Sequence, residues 1–430
     1  MSPHSAPPVT LTRANLVGVV AGNVLEFYDF TLYAFFASQI GASMFAQGKG
    51  GDGLLAALAT FAVGFVARPI GALVIGRYAD KRGRKPAMVL SFALMGLSLL
   101  AVALAPPARM IGGWSAVVMA LARLVQGFAL GGEVGPTTAL LIEAAPPGKR
   151  GLYGAWQIAS QGLAVLAAGL VGLGIAAQVK TDRQDDHAQQ HGKAPAPVGE
   201  RLWRQQRRDA QPHQPGGKHR QALAEDTALP LVRVAVIGLL LVLAGTVTTY
   251  TLQFLNTYTV STLKLNPRLA FTATAVTGAS MFAFGLLGGW LSDRVGRRPV
   301  VVIPRVIMLV LIWPVFSAIL ARPTLGALTL GVFLMTSLYA MSTATSSVCL
   351  AEGFPRERRS TGYAMTYTLG VSVFGGGAQL GIAWLAKTTG SQMMPAWWLL
   401  VASAIGIAAG LTMPMLPAPR KTPFRLEPTS

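Results

Sequence analysis

Charged residues are scarce in this sequence. Only 12% of its 430 residues are Asp, Glu, Lys or Arg, whereas 52% are hydrophobic. Soluble proteins carry about 25% charged residues, so this chain is too apolar for a soluble protein of its size. The lipid bilayer is the expected environment.

Cysteine is nearly absent too. The single Cys349 lies in an apolar run, which excludes an intrachain disulfide and a disulfide-stapled secreted fold. The N-terminal MSPHSAPPVTLTRANL has no signal-peptide pattern, so we expect the first span to direct insertion. No nucleophile and base constellation, metal-ligand spacing or phosphate loop is visible, so we predict neither an enzyme nor a cofactor.

Long apolar runs are what the sequence does contain. An α-helix needs about 20 apolar residues to cross the bilayer core, and eleven runs fit that length. The predicted spans are residues 16–38, 54–76, 87–105, 114–142, 152–177, 231–258, 269–291, 300–320, 325–350, 361–386 and 395–416.

The net charge of +19 lies mainly in short loops between the apolar runs. That placement argues against nucleic-acid binding, which needs a clustered basic face. The basic loops are residues 76–86, 147–151, 292–299, 355–360 and 419–425. By the positive-inside rule, these loops and the N-terminus are cytoplasmic. Five spans then end outside while the second half must begin inside, so one crossing is missing.

Two of the basic loops are copies of one motif. GRYADKRGRKP (76–86) and GGWLSDRVGRRP (288–299) share the frame G, three residues, D, two residues, G-R-[KR]-P, with Asp80 matching Asp293. A second pair, LIEAAPPGKRGLYGAW and LAEGFPRERRSTGYAM, aligns Glu143 with Glu352. This internal repeat of about 210 residues indicates a transporter built from two similar halves.

The repeated loop resembles the signature of the major facilitator superfamily. The stretches GNVLEFYDFTLYAFFASQIG, FVARPIGALVIGRYAD and RLVQGFALGGEVGPTTALLIEAAPPGKRGLYGAWQ are similar to its metabolite:proton symporters, in particular the citrate and tricarballylate carriers. The resemblance covers most of residues 14–177 and, more loosely, 231–416. It implies an all-α membrane protein with twelve helices in two bundles, alternating access and a cavity at mid-membrane.

Four segments follow from these patterns. Residues 1–177 form a five-span bundle, 178–230 a polar and disordered linker, 231–418 a six-span bundle and 419–430 a cytoplasmic tail. The sixth helix is missing from residues 178–230, where a true eleven-span protein, a re-entrant segment and a misread reading frame compete. We favour the misread frame, because the composition changes abruptly at Gln178 and becomes apolar again by Leu229.

Ionisable residues inside the spans are functional candidates, because they are costly there unless they face a cavity or a partner. Glu26 and Asp29 share one face of the first span. Asp29 and Arg123 lie at similar depths, which predicts a pair that competes with substrate or proton. Glu133 is a second proton site, since buried carboxyl groups can exchange protons near neutral pH. The alternatives are structural ion pairs for Arg123 and Glu133, and snorkelling for Arg68.

The spans of the second half show almost no charge but carry polar stripes. Hydroxyl and amide groups suit an oxygen-rich substrate, although Ser and Thr also simply bond to backbone in spans. The substrate-binding candidates are Arg123, Arg68, Gln157, Gln253, Asn256, Tyr258 and Tyr367, beside stripes at Thr248, Thr249, Thr257, Ser342, Thr343, Ser346, Tyr363 and Gln379.

The two signature loops are predicted to latch the helices in one access state. Fixed Asp and Gly positions favour this reading over simple anchoring by Lys and Arg. The gating residues are Gly76, Asp80, Gly83, Arg84, Asp293, Gly296 and Arg297. Gly127, Gly131 and Gly135 recur every four residues and predict close helix packing.

The sequence therefore predicts a monomeric, proton-coupled importer of a small organic anion in a bacterial inner membrane. Citrate or tricarballylate is the substrate that the resemblance implies, with the protons and the bilayer as its other partners. Carriers of a dicarboxylate, a shikimate-like acid or betaine and proline remain open, as does an exporter. A non-transporting or inactive membrane protein is the alternative from a different class.

The charge pattern predicts that both signature loops face the cytoplasm. In a Cys349→Ser background, we expect Arg84→Cys and Arg297→Cys to react with an impermeant thiol reagent only from the cytoplasmic side. Arg109→Cys, in a loop with little charge, is the control and should react from the outside. Labelling of the two signature loops from opposite sides would contradict the doubled-bundle topology.

Overall fold

The computed structural model describes residues 13–45, 53–82, 84–185, 225–355 and 359–413. Within these ranges every regular element is an α-helix. The helices are α1 (Arg13–Phe35), α2 (Ala37–Met44), α3 (Gly53–Val66), α4 (Arg68–Arg82), α5 (Arg84–Leu104), α6 (Ala108–Ile111), α7 (Trp114–Gly131), α8 (Val134–Glu143), α9 (Arg150–Asp185), α10 (Glu225–Ser261), α11 (Pro267–Val295), α12 (Arg297–Ala321), α13 (Leu325–Glu352), α14 (Arg359–Thr389) and α15 (Met394–Thr412).

Helices cover all eleven predicted spans. In the described part of the chain, nine segments are long and apolar enough to cross a membrane, and Val89–Leu104 is a shorter apolar helix. The first predicted span is interrupted near its end, at Phe36, and two others are each broken into two helices, at Ala67 and at Gly132–Glu133. Proline explains the breaks in these two spans, because Pro69 and Pro136 have no N–H to donate to a carbonyl one turn earlier.

Close packing joins the two broken spans. A Cβ on Gly127 would lie 1.7 Å from the carbonyl oxygen of Gly64, and one on Gly131 would lie 1.9 Å from that of Arg68. Only glycine allows the α7 backbone to approach α3 and α4 so closely. The predicted packing role is therefore confirmed for Gly127 and Gly131, and the contact fixes Arg68 against α7.

The two halves of the repeat meet along α9 and α11. A Cβ on Gly278 would lie 2.1 Å from the backbone nitrogen of Leu166, and one on Gly162 would lie 2.5 Å from that of Phe282. Lipid supplies no hydrophobic force between helices, so small residues and tight contact hold such helices together. The α9–α11 contact therefore fixes one half on the other.

The halves differ in one place that the repeat makes equivalent. In the second half α15 packs between α10 and α12. The equivalent position in the first half, between α1 and α5, is an open groove of about 750 Å³. Leu25, Tyr28, Phe92 and Leu99 are among the residues that line it. No helix among the described residues fills this groove.

The helices that flank the central segment end on opposite faces of the bundle. Near its start α9 contacts Asp293, and near its far end Ala176 accepts a hydrogen bond from Arg268 at the other end of α11. The first turns of α10 return to the signature-loop end, where Leu231 packs close to Phe354. One crossing is thus unaccounted for, as the loop charges predict.

Helices extend into both ends of the predicted central segment, 178–230. α9 extends to Asp185 and α10 begins at Glu225, so its edges are helical. The stretch from 186 to 224, where the missing helix and the disordered linker were predicted, lies outside the described residues, as does the 419–430 tail. The four-segment division remains a prediction.

The open groove between α1 and α5 is the place that a helix encoded in another reading frame would fill, so the reading-frame prediction can be tested. Translation of the coding interval for residues 178–230 in its two other frames should give an apolar segment of about 20 residues in one of them. Resequencing the interval is the direct measurement. If neither frame gives such a segment, the misread-frame account is wrong.

Candidate functional site

A small cavity lies between the two halves at the middle of the bundle. Its volume is about 40 Å³, whereas ligand pockets usually measure about 300–1,000 Å³. Its polar lining consists of Gln157, Gln161, Thr246, Thr249, Tyr250, Tyr339, Thr343, Ser346, Ser347 and Tyr367. Among the described residues, no charged side chain lines the cavity.

Asp29 and Arg123 form a buried ion pair, and Asp29 also lines the open groove between α1 and α5. The guanidinium Nη1 of Arg123 lies 2.9 Å from Oδ2 of Asp29, and the side chains are 2% and 16% exposed. Gln126 accepts from Arg123 and donates to Asp29. The guanidinium also stacks on the ring of Tyr33 at 3.9 Å. The pair joins α1 to α7, at the similar depths predicted for the two residues.

Glu26, Glu133 and Arg68 form a second group, one helical turn away from that pair. Glu26 is 3% exposed and interacts electrostatically with both Arg68 and Glu133. Glu133 lies at the break between α7 and α8, and a Cβ on Gly22 would lie 3.5 Å from its Oε1. In the described part of the chain, neither glutamate is within ion-pair distance of a cation.

Arg68 connects this group to the second half. Its guanidinium lies 4.8 Å from the ring centre of Phe30 and 4.1 Å from that of Phe65. It also interacts electrostatically with Tyr250, which lines the cavity. Its Nε has no hydrogen-bond partner. Arg68 is thus enclosed by protein and does not snorkel to a surface.

The uncharged candidates separate into two groups. Gln157 and Tyr367 line the cavity, and the backbone oxygen of Gln157 accepts a hydrogen bond from Asn23 at 3.1 Å. Gln253 is buried with both amide atoms unpartnered. Asn256 and Tyr258 instead hold helices together. Asn256 donates to Thr274 at 2.9 Å, and the hydroxyl of Tyr258 donates to the backbone of Gln392.

The second signature loop ties the halves together at its end of the bundle. The carboxylate of Asp293 accepts hydrogen bonds from the backbone N–H of Gly151 at 2.7 Å and of Leu152 at 2.9 Å, at the N-terminus of α9. Arg297 donates to Asp293 at 2.7 Å and, through two nitrogens, to Glu352 at 3.1 Å. Gly296 has φ of 95°, a conformation that favours glycine.

The first signature loop is described less fully. Asp80 lies in α4 and Arg84 opens α5. Their side chains, those of the neighbouring loop residues and Gly83 itself lie outside the described residues. At the same end of the first half, Glu143, the residue that the repeat aligns with Glu352, is described. Its Oε1 lies 3.6 Å from Nη1 of Arg359 on α14.

Several buried polar residues in and near the site were not predicted from the sequence, among them Gln161, Thr246, Tyr339 and Ser347 on the cavity wall. Asn23 and Gln126 lie three residues from Glu26 and Arg123, and this helical spacing is the signal that could have found them. Tyr250 was missed within an apolar run. Arg305 corrects the expectation that the second half has almost no charge in its spans, because it is buried inside α12 at 1% exposure.

Comparison with known proteins agrees with this architecture. The family model described as "Sugar (and other) transporter" matches residues 14–189, and the Major Facilitator Superfamily model matches residues 183–378. The citrate-proton symporter of Salmonella typhi is 32% identical over 406 residues, which cover 93% of this chain and 93% of that protein. The chain belongs to the major facilitator superfamily. It is therefore a multi-pass membrane transporter and not an enzyme.

Other relatives within the superfamily carry different names. The alpha-ketoglutarate permease of Escherichia coli strain K12 is 28% identical, with 93% of each chain covered. Among solved structures, a proton:xylose symporter bound to 6-bromo-6-deoxy-D-glucose superposes with a TM-score of 0.68 at 13% identity, covering 93% of this chain and 95% of that one. At that identity the match shows the fold alone.

The Asp29–Arg123 pair gives a prediction about stability. Asp29→Asn leaves a buried guanidinium without its counter-charge, so we expect a loss of about 3–5 kcal/mol. The double variant Asp29→Asn/Arg123→Gln removes both charges and should lose less than the sum of the single variants. Thermal unfolding of the purified protein in detergent measures this, with Arg109→Gln, an exposed Arg, as the control. Additive losses would show that the two side chains do not interact.

Proposed function

We propose that this transporter is a proton-coupled importer of a small organic anion, with citrate or tricarballylate as its substrate. The observation that carries the proposal is the grouping of Glu26, Glu133 and Arg68 beside the central cavity, with both carboxyl groups unpaired. A carboxyl group removed from water and without an ion pair can take up and release a proton near neutral pH. An Arg fork matches the geometry of a substrate carboxylate.

The two buried groups of charged residues have different roles in transport. Glu26 and Glu133 carry the proton, and protonation of Glu26 changes the field around Arg68. Asp29 holds Arg123 until a substrate carboxylate competes for the same guanidinium. Arg68 also interacts with Tyr250 in the second half. A change of charge in the first half therefore alters the electrostatic environment of the cavity wall in the second half. Proton and anion binding are thereby coupled through shared cations.

Alternating access requires the contacts at one end of the bundle to break while the other end stays closed. At the signature-loop end, the contacts between Asp293 and α9 and between Glu143 and Arg359 cross the two halves. At the opposite end, the hydroxyl of Thr257 donates to the backbone of Ala34. The cavity is therefore held closed from both sides, and we assign the Asp293 contact to the latch on the cytoplasmic side of an inner-membrane protein.

The relatives support an anion but leave rivals. The citrate-proton symporters of Salmonella typhi and Klebsiella pneumoniae and the alpha-ketoglutarate permease bear the names of carboxylates. The ectoine/proline transporter of Corynebacterium glutamicum, 31% identical over 95% of this chain, favours a zwitterion as the second candidate. An exporter is less well supported, since the fifth span lacks a Gly-Pro pair.

Transport assays test this function. In proteoliposomes we expect labelled citrate to accumulate when an inward proton gradient is imposed, and a protonophore to abolish the accumulation. Glu26→Gln should lose gradient-driven accumulation yet keep citrate exchange, because exchange needs no net proton movement. Glu427→Gln in the C-terminal tail is the matched control.

Three outcomes would overturn the proposal. Uptake of proline with no uptake of citrate would favour the zwitterion reading. Citrate movement only in the outward direction would indicate an exporter. The absence of any solute movement by a folded protein would favour the inactive form that lacks one helix.

A further inference from the structure

Arg305 is a buried cation that the proposed transport cycle does not yet use. It lies on α12, eight residues after the signature-loop arginine Arg297, which begins that helix, and its side chain is 1% exposed. At about 1.5 Å per residue this places it about 12 Å along the helix, near mid-depth. Like Arg123 in the first half, it lies far from either helix end.

The two arginines differ in their partners. Arg123 has the carboxylate of Asp29 at 2.9 Å. In the part of the chain that the structure describes, no carboxylate lies within ion-pair distance of Arg305. Its Nη1 has no hydrogen-bond partner. A buried charge without a counter-ion is unfavourable, so this guanidinium is ready to accept an anion.

The surroundings of Arg305 are shaped to hold it. Its Nε donates to the hydroxyl of Ser342 at 2.8 Å, and that hydroxyl donates in turn to the backbone oxygen of Val301 at 2.7 Å. Gly406 on α15 leaves the room that Nη1 occupies, since a Cβ there would lie 2.3 Å away. The hydroxyl group of Ser342 on α13 and the space beside Gly406 on α15 therefore fix the guanidinium.

One side-chain hydroxyl separates this guanidinium from the central cavity. Nη2 of Arg305 lies 3.5 Å from the hydroxyl of Thr343, and Thr343 lines the cavity. The arrangement mirrors Arg68, which lies behind the cavity-lining hydroxyl of Tyr250. Each half thus places a buried arginine with an unpartnered nitrogen directly behind the cavity wall.

We propose that Arg305 binds a carboxylate of the substrate from the second half, replacing the Thr343 hydroxyl as its contact when the cavity enlarges. This inference rests on the proposed anion transport. With Arg68 on the facing wall, Arg305 makes the site select anions that carry two or more carboxylates, because one carboxylate cannot neutralise cations on both sides. A monocarboxylate or a zwitterion leaves Arg305 unpaired.

Variants at position 305 test the proposal. We expect Arg305→Met to raise the KM for citrate about 10- to 100-fold, as loss of a hydrogen-bonded ionic contact does. Inhibition of citrate uptake by a monocarboxylate such as acetate should change less than twofold. Arg305→Lys, which keeps the charge but loses the fork, should lie between Met and the wild type. Arg322→Met, an exposed arginine at the end of the same helix, is the matched control.

A second readout separates ligand binding from a structural role. In the purified protein, citrate should raise the Tm of the wild type and of Arg322→Met, and raise that of Arg305→Met much less. If Arg305→Met fails to fold, Arg305→Lys must still weaken tricarboxylates several-fold more than acetate. The inference would be overturned if Arg305→Met weakened the binding of every ligand equally and lowered the Tm, and Arg305→Lys restored the Tm fully. Arg305 would then have a packing role.

The failure of this inference differs from the failure of the proposed function. Citrate uptake by the wild type with an unchanged KM in Arg305→Met would overturn the role of Arg305 alone. A wild-type protein that neither binds nor moves any carboxylate would overturn the proposed function, and the role of Arg305 with it.

Discussion

The pairing of buried arginines with carboxyl groups is the interaction on which this transporter depends. A charge enclosed by protein at mid-membrane is unfavourable unless it meets an opposite charge or a hydrogen-bond partner. Arg123 is satisfied by Asp29, whereas Arg68 is held by aromatic rings and by Tyr250, close to the unpaired Glu26. Arg305 has hydroxyl groups alone. In the proposed cycle, this unequal distribution of counter-charge lets the site exchange a protein carboxylate or a proton for a substrate anion.

Glycine makes that arrangement possible, because it brings helices into backbone contact. The contact of Gly127 and Gly131 with α3 and α4 places Arg68 and Arg123 on neighbouring walls. Along α9 and α11, Gly162 and Gly278 do the same for the two halves. In lipid, association depends on such close packing and not on burial from water. The halves consequently close over the small cavity, and its enlargement must come from movement of whole helices.

The signature loop joins charge and packing at one end of the bundle. The carboxylate of Asp293 lies at the N-terminus of α9, where free N–H groups and the helix dipole favour an anion. Arg297 holds that carboxylate and also binds Glu352, so one guanidinium connects the two acidic residues of the second half that the sequence repeat singles out. The first half differs through the open groove between α1 and α5, which the second half fills with α15. In the part of the chain that the structure describes, no helix covers this groove, so α1, which carries Glu26 and Asp29, is covered on fewer sides than α10.

The sequence alone determined the membrane environment, the all-helical architecture, the internal repeat and the superfamily. These follow from local properties, because the length of an apolar run and the charge of a loop need no knowledge of the neighbours. Tertiary structure decided which polar residues face the cavity. It placed Gln157 and Tyr367 on the wall, engaged Asn256 and Tyr258 in helix contacts, and revealed Arg305. The physical reason is that helix rotation, the breaks at Ala67 and Gly132–Glu133, and relative depth are set by packing between segments far apart in the chain.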